Sequence, residues 1–264
     1  MAKTRKCLFC GASPTSREHV IPEWLSKRMQ IRNFGFHPAR LSSKDGLEVR
    51  PLTKCEHLYT KQVCAGCNNG WMSELESWAQ SRFGAAVEPE WPAGAIEELK
   101  ALRLEAALII RWLLKTAIMV ECAFPRGDLY KVHPDLIPVA YGRTPPTDFH
   151  VWAAQTVEPS FLMHFSRGFR VWNGGVLEPY QIHQSSMDFA LQLHHFAIRL
   201  IRCPSAAPGV KLPFFLPDGR RATPMVLSSE GTLPFPQVHL YPDFACFLDA
   251  LEVHAAPPQN SPEK

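Results

Sequence analysis

Two C-x-x-C steps, Cys7-x-x-Cys10 and Cys64-x-x-Cys67, constrain this chain more than any other feature it carries. Such a step presents two sulfurs from one tight bend, and four thiolates converging as a tetrahedron bind Zn²⁺ strongly. If both steps serve one structural zinc ion, segments separated by 53 intervening residues must meet. That exceeds the about 15–20 residues of the ordinary paired pattern, so the loop between the steps can hold structure of its own. Residues 6–11 read as the first knuckle, a tight turn ending in Gly11.

The other cysteines do not extend this pattern. Eight cysteines in 264 residues are too few for a disulfide scaffold. Cys55, Cys122, Cys203 and Cys246 are scattered and are expected as small buried hydrophobes. Cys55 and His57 are substitute ligands should one of the four fail, although neither has a partner at knuckle spacing. The basic start Met1 to Lys6 runs into cysteines rather than into an apolar stretch. The most apolar segment, 106–120, is broken by Arg111 and Lys115 and falls short of the about 20 residues a bilayer requires. The expectation is a cytoplasmic protein without a membrane partner.

Net charge is only +3, but its distribution is uneven. Residues 1–80 hold 12 Lys/Arg against 7 Asp/Glu, whereas the remainder holds 16 against 18. A basic N-terminal third on a near-neutral body suits phosphate contact.

Along the chain, 23–29 reads as a short helix after Pro22, 35–45 as a loop, 47–49 as a brief strand and 58–63 as a strand leading into Cys64. From Asn68 onward Trp71, Met72, Leu75, Trp78 and Ala79 recur at steps of three and four, the spacing of a packed helix. Two prolines and two glycines within 84–94 mark a linker. A long helix over 96–123 then opens the second part, followed by strand-like runs at 149–156, 160–165, 169–172 and 189–202. His194-His195 reads as strand filling, 240–253 as a closing helix and 255–264 as a disordered tail.

Within the loop between the cysteine steps lies Glu18-His19-Val20-Ile21-Pro22. Neighbours on an extended strand point to opposite faces, so one of Glu18 and His19 can turn to a metal while the other approaches a substrate. A carboxylate suits Mg²⁺ or Mn²⁺, and a neutral imidazole suits proton abstraction from water near neutral pH.

In this order, Cys7-x-x-Cys10, Glu18-His19-Val20-Ile21-Pro22 and Val63-Cys64-x-x-Cys67-Asn68 resemble the HNH endonuclease family over about residues 5–80. The resemblance implies a treble-clef-like ββα-metal fold held by zinc on Cys7, Cys10, Cys64 and Cys67. It makes His19 the general base, and Glu18 and Asn68 the ligands of a catalytic Mg²⁺ or Mn²⁺, with Asn69 as the alternative to Asn68. The implied substrate is DNA, with RNA also open. Arg17, Lys54 and Lys61 are candidate backbone-phosphate contacts. The family's middle asparagine, which braces the loop bearing the base, has no counterpart in residues 57–62, where His57 or Thr60 would have to serve. The expected fold is therefore α+β: a zinc-stabilised nuclease-like domain over 1–82, a linker over 83–94, and a larger α+β domain over 95–254 with a long helix and antiparallel strands. The alternative function is a non-catalytic zinc-binding module for nucleic acid or protein. Oligomeric state and the role of the second domain are left open.

Overall fold

Short antiparallel strand pairs fill the loop between the two cysteine steps. The computed structural model describes residues 6–13, 16–33, 35–36, 39–42, 46–49, 53–88, 105–123, 132–146, 148–166, 169–173, 176–180, 187–202, 210–211, 214–215, 221–222, 239–241 and 253–255. Strand β1 (Glu18–His19) ends before Pro22, whose fixed φ turns the chain into helix α1 (Glu23–Arg28). Four short strands follow: β2 (Gly35–Phe36), β3 (Ala39–Ser42), β4 (Gly46–Val49) and β5 (Thr53–Lys54). β2 pairs with β5 and β3 with β4, both antiparallel, so the segment expected as a loop carries two strands. Strand β6 (Tyr59–Thr60) returns antiparallel to β1, in the register Glu18↔Thr60 and His19↔Tyr59.

The helix at the second knuckle starts earlier than its apolar spacing predicts. Helix α2 (Ala65–Cys67) begins directly after Cys64, whose sulfur accepts the backbone N–H of Cys67. It passes through a wider π-type turn, Asn68–Met72, before α3 (Ser73–Phe83). Met72, Leu75, Ala79 and Phe83 are buried, and they pack a core with Val20, Ile21, Leu25 and Val63. Each fully buried aliphatic or aromatic side chain of this kind contributes about 1.5–3 kcal/mol.

Two compact units result. The first joins Met1–Gly84 to Lys115–Val132, and the second joins Ala85–Leu114 to His133–Lys264. Helix α4 (Ala106–Ala123) therefore serves both: its first half counts with the second unit and its remainder, from Lys115 on, with the first. The part of this helix expected over 96–104 lies outside the described residues, as does 89–94 of the expected linker.

In the second unit, helix α5 (Leu136–Tyr141) ends at Gly142 in the left-handed conformation, and Arg111 bonds the carbonyls of Ala140 and Tyr141. Two long strands, β7 (Phe149–Ser166) and β10 (Met187–Arg202), pair antiparallel with one register irregularity between His194 and Phe196. β8 (Phe169–Asn173) and β9 (Val176–Tyr180) form the next hairpin. A strand at His239–Tyr241 lies parallel to β7, and one at Val253–Ala255 parallel to β8. Both fall at the ends of the segment expected as a closing helix. At those ends a histidine alternates with apolar neighbours, His239-Leu240 and Val253-His254-Ala255, which suits a strand, and residues 242–252 lie outside the described ones.

A buried ion pair lies in this sheet. Arg199 donates from Nε and Nη to the two oxygens of Asp188 at 2.9 and 2.6 Å. Burial works against the Asp188 carboxylate, but the Arg199 guanidinium and His164 outweigh it and hold the group well below the usual carboxylate range. Among the described residues no helix is long and apolar enough to cross a membrane.

Candidate functional site

The four knuckle cysteines converge. Their sulfurs all lie within 4.8 Å of one another, with Cys10 and Cys64 3.5 Å apart. Thiolates around zinc at about 2.3 Å form a tetrahedron with edges of about 3.8 Å, so the cluster fits a metal ion such as zinc. Backbone hydrogen bonds draw the halves together. The N–H of Gly11 donates to the Cys7 carbonyl and closes the first knuckle, with Gly11 at φ 79°, where glycine carries no Cβ penalty. Leu8 N–H donates to the Gln62 carbonyl at 2.9 Å and ties that knuckle to the strand entering the second. Phe9 meets Trp71 edge to face with ring centroids 5.0 Å apart, which walls the cluster with apolar surface.

The four thiols are not electrostatically equal. Burial opposes ionisation of Cys7, but backbone N–H groups of Cys10, Cys64 and Phe9 stabilise its thiolate and bring its pKa down to about 7. Cys67 is pushed up to about 12 by burial, with a bond from Trp71 only partly offsetting it. A bound divalent cation is what makes four anionic sulfurs compatible in so small a space. Cys55 stands outside the cluster, buried, with its thiol pushed up to about 11 by burial and by Glu56. Cys122 is likewise pushed up to about 12 by burial and Glu121. His57 is exposed and lies 3.7 Å from Glu56. Cys203 and Cys246 lie outside the described residues.

Beside the cluster, the β1–β6 pair separates its residues onto two faces. Glu18 and Thr60 are buried, whereas His19 is exposed and its partner Tyr59 half-buried. Strand alternation adds Arg17 to the outward face, while Lys61 follows β6 directly in a bend. Both are exposed, and the Arg17 guanidinium lies 5.0 Å from the centre of the Tyr59 ring. Arg17, His19 and Tyr59 thus share one outward surface that carries a cation. Lys54 is exposed on a different strand pair, opposite Gly35.

Glu18 turns inward. Its carboxylate lies 2.5 Å from the ammonium of Lys115, a residue with no exposed surface. The same ammonium donates to Glu76 at 2.8 Å, and the other Glu76 oxygen accepts the Trp24 indole N–H at 2.8 Å. Burial works to discharge Lys115, but Glu76 and Glu18 outweigh it, so the ammonium stays charged well above the usual lysine range. Nothing in the spacing of Glu18, Glu76 and Lys115 announces this network. The one available signal is a lysine inside an apolar helical run, which has to find an anion.

Asn68 is engaged as well. Its side-chain amide donates to the Ser16 hydroxyl at 2.5 Å and to the Arg17 carbonyl at 3.1 Å. It thereby braces the segment entering β1, the part the missing middle asparagine was expected to play. Neither substitute suggested by sequence does this: Thr60 accepts the Gln62 N–H locally, and His57 faces solvent. Asn69 is exposed. Among the described residues, the cysteine cluster is the group of three or more His, Cys, Asp and Glu side chains placed to hold an ion. Glu18 Oε1 is held by Lys115, and the Asn68 amide nitrogen is held by Ser16 and the Arg17 carbonyl, which leaves its side-chain oxygen outside those bonds.

No family model, curated protein or solved structure matches the chain.

Proposed function

We propose that the N-terminal unit is a zinc-stapled endonuclease module that hydrolyses phosphodiester bonds of DNA, as its resemblance to HNH endonucleases implies. The observation that carries this is the outward face of β1 and β6: an exposed imidazole, paired across the strands with Tyr59 over which Arg17 sits, in the unit that holds the four-cysteine cluster. His19 takes a proton from the attacking water. Arg17, held over Tyr59, and Lys61 receive the phosphate oxygens and stabilise the charge that develops on them. The zinc contributes rigidity rather than chemistry, since four thiolates leave it no open position. A catalytic Mg²⁺ or Mn²⁺, which the resemblance also implies, would supply Lewis-acid stabilisation of the leaving oxygen when bound. Because Lys115 already holds Glu18 Oε1, we route no step through it.

The deciding experiment is plasmid nicking by the full chain with Mg²⁺ or Mn²⁺ present. Wild type nicks, and His19→Ala loses at least about 100-fold of the rate, the usual contribution of a general base, while keeping its zinc. Absence of cutting by zinc-replete wild type on DNA and RNA with any divalent ion overturns the proposal. The Lys115 ammonium held on Glu18 favours a second reading, a non-catalytic zinc module that binds nucleic acid or protein. That module would bind DNA in a salt-sensitive way, and its binding would be indifferent to His19→Ala.

A further inference from the structure

The buried network on the inner face of β1 differs from what a metal-ligating Glu18 requires. Two carboxylates, Glu18 and Glu76, converge on one ammonium at 2.5 and 2.8 Å, and Lys115 has no exposed surface. Glu76 is further fixed by the Trp24 indole, and its side chain is 16% exposed against 11% for Glu18. A divalent ion at Glu18 would either sit against the charge of the Lys115 ammonium a few ångströms away or displace it from one of its two buried partners, and both are costly in a site screened from water.

We infer that Lys115 is the resident cation of Glu18, standing where a divalent ion would otherwise bind, and that Glu18 is not a metal ligand in this chain. The positive charge at this place comes from a residue nearly a hundred positions away on helix α4 and is permanent. Glu18 then serves to anchor β1 from beneath, with its neighbour His19 left on the outward face. The inference concerns the same strand as the proposed nuclease site but is tested without reference to cutting.

The test is the free-Mn²⁺ electron paramagnetic resonance signal during titration of the zinc-loaded full chain. Wild type and Glu18→Gln should take up the same amount of Mn²⁺, because Glu18 binds none. Lys115→Met, which frees two facing carboxylates, should gain one Mn²⁺ site, and this site should vanish in Lys115→Met combined with Glu18→Gln. One Mn²⁺ more on wild type than on Glu18→Gln, with zinc unchanged, overturns the inference. So does a Lys115→Met protein with native zinc and circular dichroism that gains no site. If Lys115→Met fails to fold, the comparison of wild type with the near-isosteric Glu18→Gln decides alone. Nicking lost in His19→Ala bears on the nuclease proposal and not on this one, so the two stand or fall separately.

Discussion

Cys67 and Asn68 are joined by one peptide bond, yet their substitution has different expected consequences. Cys67 is one of four sulfurs within 4.8 Å, and losing it removes a quarter of the ligand set that holds the two knuckles together. Cys67→Ala should therefore lose zinc and unfold the N-terminal unit, seen as loss of metal in the purified chain and of its dispersed amide resonances. Asn68→Ala removes two hydrogen bonds, to the Ser16 hydroxyl and the Arg17 carbonyl, at a cost of about 1–3 kcal/mol, and it leaves the sulfurs untouched. Zinc should stay stoichiometric while nicking falls, because the strand carrying His19 loses its brace. If Asn68→Ala nicks like wild type, the brace is unimportant to the chemistry. The two cysteine turns were legible from spacing alone, because a C-x-x-C step has few other uses in a chain without a disulfide scaffold. The bracing role of Asn68 was not legible, since an amide ligates through its oxygen and donates through its nitrogen, and only the fold decides which carbonyl the nitrogen reaches.

At the scale of elements, β7 shows how a break in pattern can mislead. Spacing predicts two strands, 149–156 and 160–165, separated at Val157-Glu158-Pro159, whereas one strand runs Phe149–Ser166. The break is real but is absorbed as a bulge: Gln155 pairs with Phe196 and Ser160 with His194, leaving 156–159 opposite His195 alone. Pro159 has no N–H for a ladder, so an unpaired bulge is where a strand can accommodate it. One buried side chain stitches the irregularity. Gln192 donates to the Thr156 hydroxyl at 2.9 Å and to the carbonyls of Glu158 and His194 at 2.6 and 2.8 Å, while His195 Nδ1 meets the Thr156 carbonyl at 2.9 Å. His194 adopts φ 54°, an unusual conformation for a residue with a Cβ. Gln192→Leu keeps the volume but strands these acceptors, and it should destabilise the second unit by about 1–3 kcal/mol in urea unfolding of the full chain. No change in midpoint would mean that the bulge holds itself. The long pairing was half-visible in the composition of 187–202, and the bulge was not, because bonds from a side chain to distant carbonyls leave no periodic trace.

At the scale of the whole molecule, chain order and compact units do not coincide. The basic, cysteine-bearing region is continuous in sequence up to Gly84, and by composition it looks separable. Yet Lys115–Val132 belongs with it, and Lys115 is the cation that Glu18 and Glu76 share. A fragment comprising residues 1–84 keeps all four cysteines and therefore keeps the capacity to bind zinc. It lacks the ammonium, so the two carboxylates on the inner face repel one another, and Leu25, Leu75 and Phe83 lose whatever cover that stretch of helix supplies. Breaking a buried pair costs about 3–5 kcal/mol, a large part of the stability of a small domain. The fragment should therefore bind one zinc but unfold at markedly lower urea than the N-terminal unit within the full chain, followed by tryptophan fluorescence and amide exchange. A fragment as resistant as the intact chain would show that the helix shared by the two units is dispensable to the first. The expected result instead makes the stretch of helix α4 from Lys115 on a part of the first unit's own fold, with a buried lysine neutralising the two carboxylates of its inner face.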